Sequence, residues 1–287
     1  MRPWPPTVEE ARIILDGEPY EVLERIGHGG MGAVFLVKNQ EPGMNRLEAV
    51  KIRRPEARDN DQFHERFLRE ISTLAELKHP GLTTVYRSGE STDGYLWFSM
   101  EYLDGKTLAD LTGDGGETMP VGRVLDITRQ LCQTLVFIHR SGRLHRDLKP
   151  ANIMVCDDGG VRVLDFGIVG QGGRHTSFGR IRPGDNHDDA GTCQIDFAGA
   201  RHASLTQPGE SPNTPDFAAP EQKAGGVLDQ RTDLYGLGRI VNAMLRPTGT
   251  AGGANPHHYP DRLLDLVDAL VSFDPDDRPD SAEVVME

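Results

Sequence analysis

Apolar and polar positions change rhythm along this chain, and the changes divide it. From Tyr20 the pattern turns strand-like, over Tyr20 to Ile26 and Ala33 to Lys38, joined by the glycine-rich run Gly27-His28-Gly29-Gly30-Met31-Gly32. A third strand, Leu47 to Ile52, carries Lys51. Asp61 to Leu77 reads as a helix, because Phe67, Ile71 and Leu74 recur on one face. Glu70 lies beside that stripe, an inward position for a carboxylate that calls for a cation. Strands around Thr84 to Ser88 and Tyr95 to Glu101 complete a five-stranded antiparallel sheet.

After Leu103-Asp104-Gly105 the period becomes mostly helical, with a stripe of Val124, Ile127, Leu131, Leu135 and Ile138 that ends near Gly142. Ile153 to Cys156 and Val161 to Leu164 read as a hairpin about Asp157-Asp158-Gly159-Gly160. Further helices are predicted near Arg231 to Leu245 and Asp261 to Ser272. Residues 1–19, with four prolines and a short helix near Val8 to Leu15, read as an extension ahead of the first strand. No repeat of solenoid length is present.

Composition narrows the function classes. At 287 residues, 26% charged and 37% apolar, the chain has the proportions of a folded globular protein rather than a disordered one. A net charge of -13 disfavours a general nucleic-acid or anionic-membrane binder, while tolerating cationic peptides. A local basic patch such as Lys51-Ile52-Arg53-Arg54 can survive against that balance. Cys132, Cys156 and Cys193 form no paired spacing, so neither a disulfide framework nor a zinc site is indicated, and a cytoplasmic, reducing setting fits. The start, Met1 to Pro6, lacks the apolar core of a signal sequence, and no run approaches ~18 apolar residues, so no membrane span is expected.

The run His145-Arg146-Asp147-Leu148-Lys149-Pro150-Ala151-Asn152 brings a base, a cation and a neutral metal ligand into one loop. That set suits phosphoryl transfer to a hydroxyl: Asp147 to accept the proton, Lys149 to offset charge on the moving group, Asn152 to give an oxygen to a metal. The glycine-rich run removes side chains where backbone would approach phosphate oxygens. A strand follows it, whereas a dinucleotide fold requires a helix there. Ala49-Val50-Lys51 supplies a strand lysine, Glu70 a partner for it, and Asp165-Phe166-Gly167 a carboxylate beside a glycine hinge after an apolar strand. Each element alone has an ordinary surface or turn reading; their joint order does not.

On these residues the chain resembles the eukaryotic-like (Hanks-type) serine/threonine protein kinases, and the wording Gly29-Gly30-Met31-Gly32 is most similar to bacterial members. The resemblance spans about Tyr20 to Pro279. It implies an α+β, bilobal fold: a small ATP-binding lobe over 20–102, with an antiparallel sheet and one helix, and a larger, mostly helical lobe over 103–287 that holds an activation segment at 165–221. It further implies ATP as co-substrate and Mg2+, or Mn2+, as the metal, held by Asn152 and Asp165. Ile26, Gly27, Gly29, Gly30, Gly32, Val34, Ala49, Lys51 and Met154 would surround the nucleotide, with the backbone of Glu101 and Leu103 on the adenine and Met100 as gatekeeper. Asp147, Lys149, Lys51, Glu70 and Thr214 would form the catalytic set, and Leu74, Val85, His145 and Phe166 a stacked column between lobes. Glu221 would pair with Arg278, and Asp233 would anchor the catalytic loop from below.

The chain also departs from that pattern. Its activation segment is long and includes Asp185-Asn186-His187-Asp188-Asp189. Arg146 beside Asp147 implies regulation by a phosphate in this segment, with Thr206 first, then Ser204 and Ser211, and with Thr176, Ser177 and Thr192 also available. The groups His187-Asp188-Asp189 and His257-His258 read as solvated loops rather than metal sites, and His139 as a packed side chain. Arg246 to His258 is short and poor in apolar residues, which shifts substrate capture toward the activation segment. Partners are expected to be proteins with Ser or Thr acceptors, the chain itself among them. Bacterial relatives often continue into a membrane span and a sensor domain. Two other readings remain, a nucleotide-binding scaffold without catalysis (a pseudokinase) and a small-molecule phosphotransferase. The complete set of Lys51, Glu70, Asp147, Asn152 and Asp165 weighs against the first, and Lys149, Thr214 and Ala219-Pro220-Glu221 against the second.

Overall fold

The strand-like segments between residues 20 and 101 form five antiparallel strands in the computed structural model, which describes residues 4–28, 32–53, 71, 75–113, 119–164, 217–246 and 259–287. They are β1 (Tyr20–His28), β2 (Gly32–Asn39), β3 (Arg46–Arg53), β4 (Val85–Glu90) and β5 (Leu96–Glu101), in the order β1-β2-β3-β5-β4. Register decides which residues share a face. Val34 pairs with Lys51, and Ala49 with both Leu36 and Met100, so Val34, Ala49, Lys51 and Met100 lie on one face. Ala33, Phe35, Val37, Val50, Ile52 and Trp97 lie on the other, where all are buried. Tyr20, on edge strand β1, donates its hydroxyl to Ser99 Oγ on β5 at 2.9 Å, which the sheet permits only by curling.

The extension ahead of β1 folds onto that second face. Its helix α1 (Val8–Ile14) begins in a capping box: the Thr7 hydroxyl accepts from Glu10 N and the Glu10 carboxylate accepts from Thr7 N. Ala11, Ile14 and Leu15 are buried in one cluster with Val22, Phe35, Val37, Val50, Ile52 and Trp97. Ile71, the buried residue described from the predicted helix over Asp61 to Leu77, is helical; most of that helix lies outside the described residues.

The larger lobe is built on α3 (Val121–Arg140), α5 (Gln230–Leu245) and α6 (Asp261–Leu270), with the short helices α2 (Leu108–Thr112), α4 (Pro220–Lys223) and α7 (Ala282–Val285). The predicted stripe Val124, Ile127, Leu131, Leu135 and Ile138 is buried almost completely. The helix stops because Gly142 takes φ 69°, and its N–H and that of Arg143 close on the carbonyls of His139 and Ile138. The hairpin β7 (Ile153–Cys156) and β8 (Val161–Val163) forms as expected from the turn residues Asp157-Asp158-Gly159-Gly160.

A third strand, β6 (Gly105–Thr107), which the sequence does not predict, pairs with β7. It is short and its side chains are largely exposed, so it leaves no apolar alternation; its pairing comes from β7. Gly105 has φ 154°, and a Cβ there would run into the Val155 carbonyl and approach Cys156 Cα at 2.8 Å. Gly105→Ala is expected to cost about 2 kcal/mol in denaturant unfolding, through strain and a backbone clash together.

The lobes meet at the connection after Glu101 and at residues 81–83. Val163 N donates to Gly81 O at 2.8 Å, Thr83 N and hydroxyl both donate to Val163 O at 3.2 Å, and Leu82 joins the core of the larger lobe. His79 holds this segment in place: its Nδ1 accepts Gly81 N at 3.0 Å, and its ring stacks on Phe137 of α3 at 4.8 Å.

Candidate active site

The loop between α3 and β7 is fixed from beneath by Asp233, on α5. This carboxylate is 1% exposed and accepts from His139 Nε2 at 2.8 Å, His145 N at 2.9 Å and Arg146 N at 2.8 Å. Burial works to raise its pKa, but the bond from His139, the nearby imidazoles and the Arg146 N–H outweigh it and hold the group below the ordinary carboxylate range. The anchor has a geometric effect. Arg146 sits at φ 66°, a left-handed conformation unfavourable for a long side chain, and persists there because Asp233 fixes its N–H and Gln222 Nε2 holds its carbonyl at 2.8 Å.

His145 is a packing residue here, 1% exposed. Its Nδ1 accepts Asp147 N at 3.3 Å while its Nε2 lies 3.4 Å from Leu164 O, so the bonding pattern assigns the Nε2–H tautomer. Asp147 follows with a half-buried carboxylate. Lys149 Nζ stands 3.2 Å from its Oδ2, and Asn152 Nδ2 donates to the same oxygen at 2.9 Å and to the Asp147 carbonyl at 2.8 Å. Because the Asn152 amide nitrogen is spent on Asp147, its Oδ1 is the atom available to a cation. Leu164 N closes on Asn152 O at 2.8 Å, which ties the end of the hairpin to this loop.

On the small lobe, the face that carries Val34, Ala49, Lys51 and Met100 continues to Gly32, whose missing side chain makes room for the lysine. A Cβ at Gly32 would stand 2.9 Å from Ile52 O and 3.3 Å from Lys51 Cε. Backbone approach to a polyphosphate and a cation beneath it are thereby compatible, and the donor set suits a nucleotide with its metal. Gly27 pairs with Val34, and Ile26 is partly exposed at the same end of β1. Glu101 N is committed to Thr84 O at 2.8 Å, while Leu103 lies past the end of β5, outside both sheets. Met154, on β7, pairs with Thr107 in the lower sheet.

The structure therefore brings Asp147, Lys149 and Asn152 together in one loop, and Val34, Ala49, Lys51 and Met100 onto one face. Gly29, Gly30, Glu70, Leu74, Asp165, Phe166, Thr214, the phosphorylation candidates Thr206, Ser204, Ser211, Thr176, Ser177 and Thr192, and the histidine groups at 187 and 257–258 lie outside the described residues. So do Cys193 and residues 247–258, on which the shortened substrate-docking region was read. Sequence reasoning missed Gln222, whose side chain holds the loop between α3 and β7; its position directly after Ala219-Pro220-Glu221 was the available signal. Burial pushes the Cys132 thiol up to about 12 and raises that of Cys156, which disfavours the thiolate at both.

Residues 20–287 match the family model of the protein kinase domain. The chain belongs to the protein kinase family. The kinase relatives include serine/threonine-protein kinase PknD of Chlamydia abortus, 33% identical over 79% of this chain and 24% of that protein. Serine/threonine-protein kinase PknB of Mycobacterium tuberculosis is 34% identical over 83% of this chain and 34% of the relative. The chain thus spans about a quarter to a third of the length of the curated relatives it matches. Among solved structures, the kinase domain of Mycobacterium tuberculosis PknI superposes with a TM-score of 0.63 at 27% identity, over 93% of this chain and 94% of that one. The bilobal kinase fold accounts for the five-stranded sheet above and the helical lobe below. Among the described residues no helix is long and apolar enough to cross a membrane.

Proposed function

We propose that this chain is the catalytic domain of a serine/threonine protein kinase, transferring the γ-phosphoryl group of ATP to Ser or Thr hydroxyls of proteins in a cytoplasmic setting. The observation that carries the reading is the Asp147–Lys149–Asn152 cluster, held by contacts of 3.2 and 2.9 Å on a single carboxylate oxygen. Both contacts fall on Oδ2, which leaves Oδ1 to orient the acceptor hydroxyl and take its proton. Lys149 then stands beside the path of the transferred group, and Lys51 meets the phosphates from the sheet above, with Glu70 as its partner. Asn152 and Asp165 would hold Mg2+, or Mn2+, which when bound offsets the charge of the phosphate oxygens. The adenine would lie between Val34 and Ala49 above and Met154 below, with its edge on the Glu101–Leu103 backbone. Thr214 would bridge Asp147 and Lys149 when peptide is present.

The Arg146 side chain supplies the cation for a phosphate at Thr206, or at Ser204 or Ser211, and autophosphorylation there is the proposed regulation. Incubation with γ-labelled ATP, magnesium and a basic protein substrate tests both steps. Acid-stable label on Ser and Thr, abolished by EDTA and restored by excess Mg2+, is the expected result. Absence of label from both chain and substrate, with nucleotide still bound, would transfer the protein to the scaffold class. Mass spectrometry of the labelled chain reads the modified residue.

A further inference from the structure

We propose that α1, with the two arginines that stitch it to β1, is a clamp on the outer face of the small lobe that positions the nucleotide-bearing strands and thereby sets the affinity for ATP. The inference rests on the ATP reading of the inner face. The family match begins at residue 20, whereas the apolar core shared with the sheet already includes Ala11, Ile14 and Leu15, so the clamp is an addition to the matched domain.

The stitches sit where β1 is irregular. Its pairing with β2 shifts register between Val22 and Glu24, and again between Arg25 and Gly27, just where the strand enters the glycine-rich run. Arg12, on α1, donates from Nη2 to the Val22 carbonyl at 3.2 Å. Arg25 reaches back from β1 and donates from Nη1 to the Pro6 carbonyl at 3.2 Å. Both irregularities are thus tied to the extension, one from each direction.

The packing beneath these bonds reaches the pocket through strand alternation. Ala33 and Phe35 flank Val34 in sequence, and Val50 separates Ala49 from Lys51, so Val34, Ala49 and Lys51 each have neighbours in the cluster that α1 joins. Tyr20 extends the contact to the far side: its hydroxyl bonds Ser99, the residue before Met100, and its ring meets Trp97 edge-on at 5.8 Å. A close-packed outer face transmits displacement rather than absorbing it, so loosening the clamp shifts the strands that face ATP while leaving the Asp147 loop untouched. Arg12 and Arg25 are positioning residues in this scheme, and they act on binding rather than on the chemical step.

The test uses Arg12→Met and Arg25→Met, singly and together, since Met keeps the apolar stem and removes the donor. Affinity for the β,γ-imido analogue of ATP is measured by calorimetry with Mg2+, beside steady-state phosphorylation. The double variant is expected to bind the analogue about fivefold more weakly and to raise the KM for ATP alike, with kcat held within about twofold, a coupling of ordinary size between packed sites. Tyr20→Phe, which deletes only the hydroxyl, is expected to move the same two quantities in the same direction. Unchanged analogue affinity in the double variant overturns the proposal, and so does a lowered unfolding temperature with affinity intact, which would make α1 a stabilising element alone. Failure of the unaltered protein to bind the analogue would overturn the nucleotide reading itself, and that result is visible before any variant is compared.

Discussion

Asp147→Asn is expected to leave a folded, nucleotide-binding protein whose phosphoryl transfer is slower by about 10²- to 10⁴-fold, the range for removing a positioned general base. The substitution keeps the shape that Lys149 and Asn152 grip through Oδ2, at 3.2 and 2.9 Å, and removes the charge and the basicity. Lys149 then faces a neutral amide, and the acceptor hydroxyl loses the oxygen that orients it. The loop itself is held by Asp233 and Gln222 through the backbone of Arg146, so the fold has no reason to yield. Three measurements separate the effects: kcat with a Ser-containing peptide, the dissociation constant of the ATP analogue, and the unfolding midpoint. A kcat within tenfold of the unaltered protein would remove Asp147 from the chemistry.

What the chain revealed in advance follows from which interactions are local. The strands and the stripe on α3 were legible because burial leaves a pattern on consecutive residues: Ala33 to Val37 is an unbroken apolar run of which only Val34 is not buried, and Val124 to Ile138 keep one face of a helix inward. The run from His145 to Asn152 was legible because its candidate catalytic groups share one short loop, and the structure closes that loop on itself through Asn152 and Asp147. β6 escaped because Gly105-Lys106-Thr107 carries no pattern of its own and owes its form to β7, a partner distant in sequence. The contribution of the extension escaped for a similar reason. Its helix near Val8 to Leu15 was predictable, but what it covers depends on the curl of a sheet that periodicity does not report. Gln222 belongs to the same class, since its bond to the Arg146 carbonyl joins two segments far apart in sequence.

Arg278→Met is expected to cost about 3–5 kcal/mol, the penalty of stripping one partner from a buried ion pair. The guanidinium side chain is 0% exposed and all five of its N–H groups are used: Nε on Ser272 O, Nη1 on Glu221 Oε1 and Arg231 O, Nη2 on Glu221 Oε2 and Phe273 O. Met fills part of the volume but leaves a largely buried carboxylate and three carbonyls without this donor. The loss carries a pH signature of fixed sign. Burial works to raise the Glu221 pKa, but the Arg278 bonds, its own backbone N–H and the Arg278 charge outweigh it and hold it below the ordinary value of 4.5. A carboxyl with a depressed folded pKa stabilises above its unfolded pKa and loses that contribution as pH falls through the folded one. The stability gap between the parent and Arg278→Met should therefore be full at neutral pH and narrow below about pH 4.5, as the unfolded-state carboxyl protonates. Denaturant titrations at pH 7 and near pH 3.5 read it directly, and a gap independent of pH would assign the loss to packing rather than to the pair. Glu221 also adjoins Gln222, so the same variant should loosen the Arg146 carbonyl and lower kcat at temperatures where the fold still holds.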